Sequence, residues 1–533
     1  MGKLILISII VAACLMLPTG NARTIEQAQQ RTEKYFKLQE AKLHAELKQN
    51  LDKVSASLRS SEKPSYKLTN SDDVQALEAF YKSTGGDKWS NSTGWLKGDP
   101  CNPFWYGVYC LDGRVLQLNL VDNQLSGSIP ADIAKASAMQ VMRFYSNFLT
   151  GKIPSEIFTM KSLQVFDANN NQLSGGLPDI TMDNLTDLIL YNNMLSGNFP
   201  NIKAPMLIHL ELSTNMFVGE FPESLSLSKN IQQLVVSRNM LTGSFPSSYG
   251  SFSSLQLLWT FYNNFDRPTF PDSWQGMTSM QQIQSDRMHG TMPDWFGGWK
   301  DLQIFVVING ALTGNFPSSI CDCTKLQNFR IFNNSLTGTV PRCICTFRSL
   351  TDIEISDNQF TGPMPDCIGD VTSLASIFFS RNNFSGELPA SIGQLVNLET
   401  LDVSENMMYG RIPSTINNLR DEIAEFAICY NKFSEIDEGL GDFFNRIKDY
   451  GCAFYNNPWS CPLSTEVPKE CSAECSKCNT GAQHGDCGSC IQSQGCGWCN
   501  DGPNCLEGQD SGPENSYRCE AEKWTFGTSS SCP

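Results

Sequence analysis

The chain has 533 residues and a formal charge of −16, from 39 Lys and Arg against 55 Asp and Glu. That balance excludes a broad nucleic-acid surface, which needs a basic footprint. Charged residues are 18% and hydrophobic ones 41%, which excludes general disorder, and four histidines leave few groups for acid–base chemistry near neutral pH.

Residues 1–22, MGKLILISIIVAACLMLPTGNA, have the form of a secretory signal peptide cleaved after Ala22. Lys3 is the basic start, Leu4 to Leu17 the apolar run, and Gly20-Asn21-Ala22 the small-residue end. The run is too short for a span, which needs about 20 residues. Cleavage removes Cys14, leaving 20 of the 21 cysteines, an even number that suits disulfides in an oxidising compartment. No later segment is apolar enough to span a membrane, and the terminal TFGTSSSCP has no anchor tail. The mature protein is expected to be secreted and soluble.

Residues 23–71 are predicted to form an amphipathic helix and a linker. Leu47, Leu51, Val54 and Leu58 fall at spacings of 4, 3 and 4, one face of a helix. Self-association through this face is one expectation. In residues 72–114, Leu77, Phe80 and Tyr81 suit the buried side of a short helix, and Trp89, Trp95 and Trp105 supply apolar cover.

Residues 115–440 repeat. VLQLNLVDNQLSGSIP at 115–130, LTDIEISDNQFTGPMP at 350–365 and LETLDVSENMMYGRIP at 398–413 share the frame LxxLxLxxNxLxGxxP. The Asn slot holds Asn123, Asn147, Asn171, Asn193, Asn215, Asn239 and Asn263, then Asp286 and Gly310, then Asn334, Asn358, Asn382, Asn406 and Asn431. These 14 units stand 22 to 25 residues apart. No unit can bury its own apolar residues, so the units must stack. The Asn is expected to bond to buried backbone groups, the Gly to permit the turn and the Pro to start the return path.

This frame resembles the leucine-rich repeat superfamily, and endings such as Gly127-Ser128-Ile129-Pro130 resemble its plant-type subclass. The resemblance implies an α/β solenoid: a right-handed superhelix of about 14 repeats with a concave parallel sheet. Stacked strands about 4.8 Å apart would form an arc of roughly 65 Å. Residues 72–114 are similar to the N-terminal cap of such proteins, which implies a disulfide between Cys101 and Cys110. Cap and repeats also resemble plant polygalacturonase-inhibiting proteins, which are shorter.

Within the repeats lie Cys321, Cys323, Cys343, Cys345 and Cys367. Counted from the preceding Pro, Cys321 and Cys345 share one column, and Cys343 and Cys367 another. Bonds 321–345 and 343–367 are therefore feasible and leave Cys323 free; the rival is 321–343 with 323–345. Cys429 is about four strands from Cys323, too far to pair with it. Residues 441–475, with Cys452, Cys461, Cys471 and Cys475, are expected to cap the solenoid. Residues 476–533 contain CGSCIQSQGCGWC and resemble the small plexin–semaphorin–integrin module. That resemblance implies disulfides among Cys478, Cys487, Cys490, Cys496, Cys499, Cys505, Cys519 and Cys532, and a spacer role. A zinc or redox reading of these motifs fits an exported chain less well, so no metal and no cofactor is expected.

Most strand positions between the Leu slots are small or polar. Units seven to ten instead place Trp259, Phe261, Tyr262, Val306, Ile308 and Phe332 there, with Arg330 among them and Phe378 and Arg381 just beyond. Aromatics with Arg are typical binding anchors, so these nine residues are the candidate ligand site, expected to face solvent. The unit MQQIQSDRMHGTMP is two residues short before its Gly. Asn91, Asn184, Asn333 and Asn383 occupy glycosylation sequons. No catalytic motif is present, so the chain is read as non-enzymatic. The leading expectation is a secreted recognition protein that takes a protein or peptide on its concave face. Alternatives are an inhibitor of an extracellular polysaccharide-degrading enzyme, with a secreted hydrolase or polysaccharide as partner, and an adhesive matrix component.

Overall fold

The computed structural model describes residues 21–60, 67–102, 105–419, 423–447, 452–454 and 457–459, and four short strands beyond residue 495. The chain divides into two compact units. The first comprises Arg31–Thr313 and Pro317–Leu326; the second comprises Met1–Gln30, Gly314–Phe316 and Gln327–Pro533. Most of the expected signal peptide and most of the C-terminal module lie outside the described residues. So do Cys478, Cys487, Cys490, Cys519 and Cys532.

Each unit is a leucine-rich repeat solenoid. In the first, strands Val108–Leu111 and Arg114–Asn119 pair antiparallel. Parallel strands then follow one per repeat: Val141–Arg143, Val165–Asp167, Asp187–Ile189, His209–Glu211, Gln233–Val235, Leu257–Trp259, Gln282–Asp286 and Ile304–Ile308. In the second, Asn328–Arg330, Asp352–Glu354, Ser376–Phe378, Thr400–Asp402, Glu425–Ala427 and Cys452–Ala453 pair in the same way. The Leu slots build the core: Leu118, Leu188, Leu210, Leu234, Ile353 and Leu401 are fully buried.

The asparagines hold the turns together. Asn358 donates through Nδ2 to the carbonyls of Ile331, Ile355 and Ser356, and its Oδ1 accepts from the Leu336 N–H. A buried amide thus satisfies donors and acceptors of two adjacent turns, which would otherwise be costly to bury. Asn457, read from the sequence as part of a cap, is a further rung: it accepts from Phe433 and donates to Ile428 and Phe454. The residue before each rung from Asn123 to Asn431 is left-handed, as at Ser146, Arg238, Tyr262 and Arg381. After the rung, a second parallel ribbon forms from Ser126–Ser128 to Met240–Leu241. Gly127, at φ 122°, is needed there because a Cβ would stand 2.1 Å from the Ser83 carbonyl oxygen. A proline then opens most of the short 3-10 turns, as Pro130 does for Ala131–Lys135.

One slot assignment is corrected. Asp286 pairs with Ile308 and Gln282 with Ile304. With Gln282 also opposite Leu257, that register puts Met288, not Asp286, in the Asn slot, directly after left-handed Arg287. The two missing residues fall between the slot and Gly290. No asparagine occupies the slot at Met288 or at Gly310, so the ladder is interrupted there.

Residues 67–114 close the first end. The Asn70 side chain caps helix Ser71–Ser83 by accepting from the N–H groups of Asp72 and Asp73. Asp73, fully buried, takes two bonds from Arg114 and one from the Val115 N–H, which pins the helix to the strand Arg114–Asn119. Trp89 and Trp95 are buried beside Tyr81, and Trp105 is buried against Trp95. Cys101 and Cys110 are bonded, with Cα atoms 5.7 Å apart.

Of the bonds expected for the internal cysteines, 321–345, 343–367 and 323–345 are excluded by the bond that forms, while Cys323 is left free as one of the two expected sets had it. Cys345 bonds to Cys367, Cα to Cα 5.8 Å, and Cys321, Cys343 and Cys429 are also disulfide-bonded. Cys323 is free and buried. Column-mates on successive turns point the same way, whereas Cys345, four residues after its Pro, and Cys367, two after the next, converge.

Candidate binding site on the concave face

Helix α1, Asn21–Ser60, supplies the largest departure from the sequence reading. Its apolar stripe lies on the sheet: Phe36, Leu43, Leu47 and Leu51 are all at most 4% exposed. Leu47 and Leu51 are therefore not available for the expected self-association. The Val54 and Leu58 side chains lie outside the described residues.

The contacts run in order along the helix. Phe36 stacks on Phe261 at 3.9 Å between centroids and meets Tyr262 edge-on at 5.8 Å. Glu40 Oε1 lies 3.3 Å from Arg238 Nε, and Glu33 is 3.9 Å from the same guanidinium. His44 stacks on Tyr191 at 3.6 Å, with Nε2 3.7 Å from buried Glu211. Lys48 stands over the Tyr145 ring. Asp52 accepts from Arg143 Nη1 at 2.8 Å.

Electrostatics under the helix are those of a covered surface. Arg143 is 1% exposed and sits 3.7 Å from buried Asp167. Burial pushes the Asp167 carboxyl up to about 7 against the pull of Arg143. Burial likewise raises the Tyr145 phenol to about 12 and shifts Glu40 upward, with Arg238 opposing.

The nine predicted site residues do not form an exposed patch. Trp259 and Phe261 are 1% and 0% exposed, and Tyr262 is half-buried beneath α1. Val306 and Ile308 are buried in a strand covered on both faces. In the second unit, Phe332 and Phe378 are buried too. Arg330 is committed to Asn328, Asp352 and Glu354, and Arg381 to Asp357 and Glu405. These arginines tie neighbouring strands. Solvent exposure was expected because the frame shows which side of a strand a residue takes, not what covers it.

The sequence reading missed Arg143, Tyr145, Tyr191, Glu211 and Arg238, which also stand between Leu slots. Their signal is that of large or charged residues in the exposed columns, but it is spread over four units instead of clustered, so no single unit stands out. The reading also missed a lateral stripe of exposed Met194, Met216 and Met240, each the residue after an Asn rung. Among the sequons, Asn184 and Asn383 are exposed, while Asn91 and Asn333 are half-buried. Among the described residues, no group of acidic, His or Cys side chains is placed to hold a metal, and no helix is long and apolar enough to cross a membrane.

A family model described as Leucine Rich Repeat matches residues 397–419. A stretch of 84 residues is 31% identical to a probable leucine-rich repeat receptor-like protein kinase of Arabidopsis thaliana, covering 15% of this chain and 8% of that protein. Another of 82 residues is 32% identical to the protein STRUBBELIG of the same plant, covering 15% and 10%. The chain thus spans about a tenth or less of the curated relatives it matches. Among solved structures, the plant peptide hormone receptor RGFR1 in complex with RGF2 is similar at a TM-score of 0.60 and 26% identity, covering 65% of this chain and 56% of that one. The Arabidopsis receptor kinase HAESA, in complex with the peptide hormone IDA and the co-receptor SERK1, matches at 0.56 and 24%, covering 65% and 62%. The fold is a plant-type leucine-rich repeat solenoid, similar to the ectodomains of plant receptor kinases.

Proposed function

We propose that this is an exported, non-enzymatic recognition protein that binds a protein or peptide on the concave face of its first unit. One observation carries the reading. From Arg143 to Tyr262, the face presents aromatic rings and arginines that engage a polypeptide segment across successive strands. Tyr, Trp and Arg are the residues that dominate binding energy at protein interfaces. The similarity to a receptor whose structure holds a peptide hormone supports a peptide-class ligand. The apolar run Leu4–Leu17 and the disulfides support export, where exposed Asn184 and Asn383 would carry glycans.

A photoreactive phenylalanine analogue at position 262 tests the site, with one at exposed Leu227 as control. Incubated with host extracellular fluid and irradiated, the first is expected to capture, besides its own α1, a separate polypeptide that the second does not. Equal capture from both positions, or none from 262, overturns the reading.

A further inference from the structure

The helix on the candidate site matches the sheet in its repeat as well as in its chemistry. From Phe36 to Asp52 is 16 residues, roughly 24 Å of helix at 1.5 Å each. From the strand ending at Arg143 to the one ending at Trp259 is five strand steps. At about 4.8 Å each they also span roughly 24 Å. About four and a half helical turns thus cross five strand steps, and contacts recur at 36, 40, 44, 48 and 52, the last two both on the repeat of strand Val141–Arg143. A helix can lie along this face with every turn in contact.

The helix is bound as a ligand is bound, by side chains. Among the described residues, no backbone-to-backbone hydrogen bond joins it to the sheet. The strands are paired and the asparagine rungs made without it. Its fit is also incomplete. A hollow between α1 and the sheet is lined by Gln39, Leu43, Gln233, Trp259 and Gln282, among others. Gln233 Oε1, Trp259 Nε1 and Gln282 Oε1 are buried there with no hydrogen-bond partner among the described residues. Unmet polar groups beneath an apolar helix weaken its hold. They leave room for a competitor that brings donors and acceptors to those atoms.

We infer that the concave face reads an amphipathic α-helix, and that residues 33–52 occupy it in cis, so that a ligand helix must displace them. This rests on the concave face being the binding site. It adds that the ligand is helical, with an apolar anchor where Phe36 sits, acidic groups facing Arg238 and Arg143, and polar groups over the hollow. The cis helix then acts as an autoinhibitor. It sits at high effective concentration, so only a ligand with better contacts gains the face.

The test uses the full chain and, as probe, a fluorescent synthetic peptide of residues 31–60. Phe36→Asp with Leu47→Asp in the full chain alters only the helix and should release it. The released variant is expected to bind the peptide at least tenfold more tightly than the parent chain. A peptide carrying the same two changes should not bind. Arg238→Glu in the released variant should weaken binding, and Glu40→Arg in the peptide should restore it. Equal binding to parent and variant overturns the inference. So does no binding to a variant that keeps its β-sheet circular dichroism and cooperative melting. A variant that loses the solenoid fold also overturns it, because the helix is then part of the core. Any of these failures leaves the cross-linking result at position 262 standing, so the two readings fail separately.

Discussion

Asp286 shows how one residue departs from a repeat pattern and what that costs. Its Oδ2 accepts from the Tyr262 N–H at 3.1 Å, and Oδ1 has no hydrogen-bond partner among the described residues. Burial raises the carboxyl to about 6. The folded state thus holds a proton that the unfolded chain releases near pH 4. The associated stability is complete below about pH 4 and is lost as pH rises through about 6. Asp286→Asn keeps the acceptor and removes the charge. It should stabilise the protein by about 2–3 kcal/mol at pH 8, with the difference vanishing towards pH 4. Urea titrations at the two pH values check this; an equal effect at both would show that Asp286 is not buried as a titrating acid. The sequence marked this position as irregular, because an Asp stood where an Asn was expected. It could not show that the slot itself had moved to Met288, since that depends on which strand residues face each other.

Among elements, the paired 3-10 turns and the N-terminal helix were legible to different degrees. The prolines predicted the return path, and the turns Arg342–Thr346 and Ile368–Asp370 follow Pro341 and Pro365. The bond between them did not follow from column counting, because pairing depends on where each Cβ points. Cys345→Ser with Cys367→Ser should cost about 3 kcal/mol, the loop-closure value for a bond across about 22 residues. Cys323 gives a control within the same segment. Its thiol is buried and pushed up to about 11, so it should alkylate only after unfolding. Peptide mapping of alkylated protein before and after denaturation reads both effects; native labelling of Cys323 in the parent would contradict its burial. For α1, the spacing of Leu47 and Leu51 identified an apolar stripe. A stripe states only that something covers it. A second helix and the protein's own sheet answer that demand equally well in sequence.

At the scale of the molecule, a solenoid is stabilised by neighbours, and damage should stay near its origin. Asn358→Ala deletes three donations and one acceptance in a buried turn. Hydrogen exchange should show amides of residues 331–360 exchanging at least tenfold faster, with those of residues 118–171 unchanged. The interruption of the ladder at Met288 and Gly310 removes two of the rungs through which such a defect would travel. A uniform rise across the chain would mean that the whole molecule opens as one cooperative body, contrary to the ladder argument.

The sequence alone determined the repeat, its period, the buried Leu and Asn positions and the turns opened by Pro. Each of these rests on contacts between neighbouring units, and a repeating code records such contacts directly. It also showed Trp259, Phe261 and Tyr262 as large residues on the sheet face. What lies over them was decided only by the tertiary structure. Phe36 reaches Phe261 across 225 positions of chain, and no local period links the two. The same holds for Asp52 with Arg143 and for Glu40 with Arg238. The site was legible as a surface but not as an occupied one, because occupancy depends on a long-range match of helix rise to strand spacing that neither segment encodes by itself.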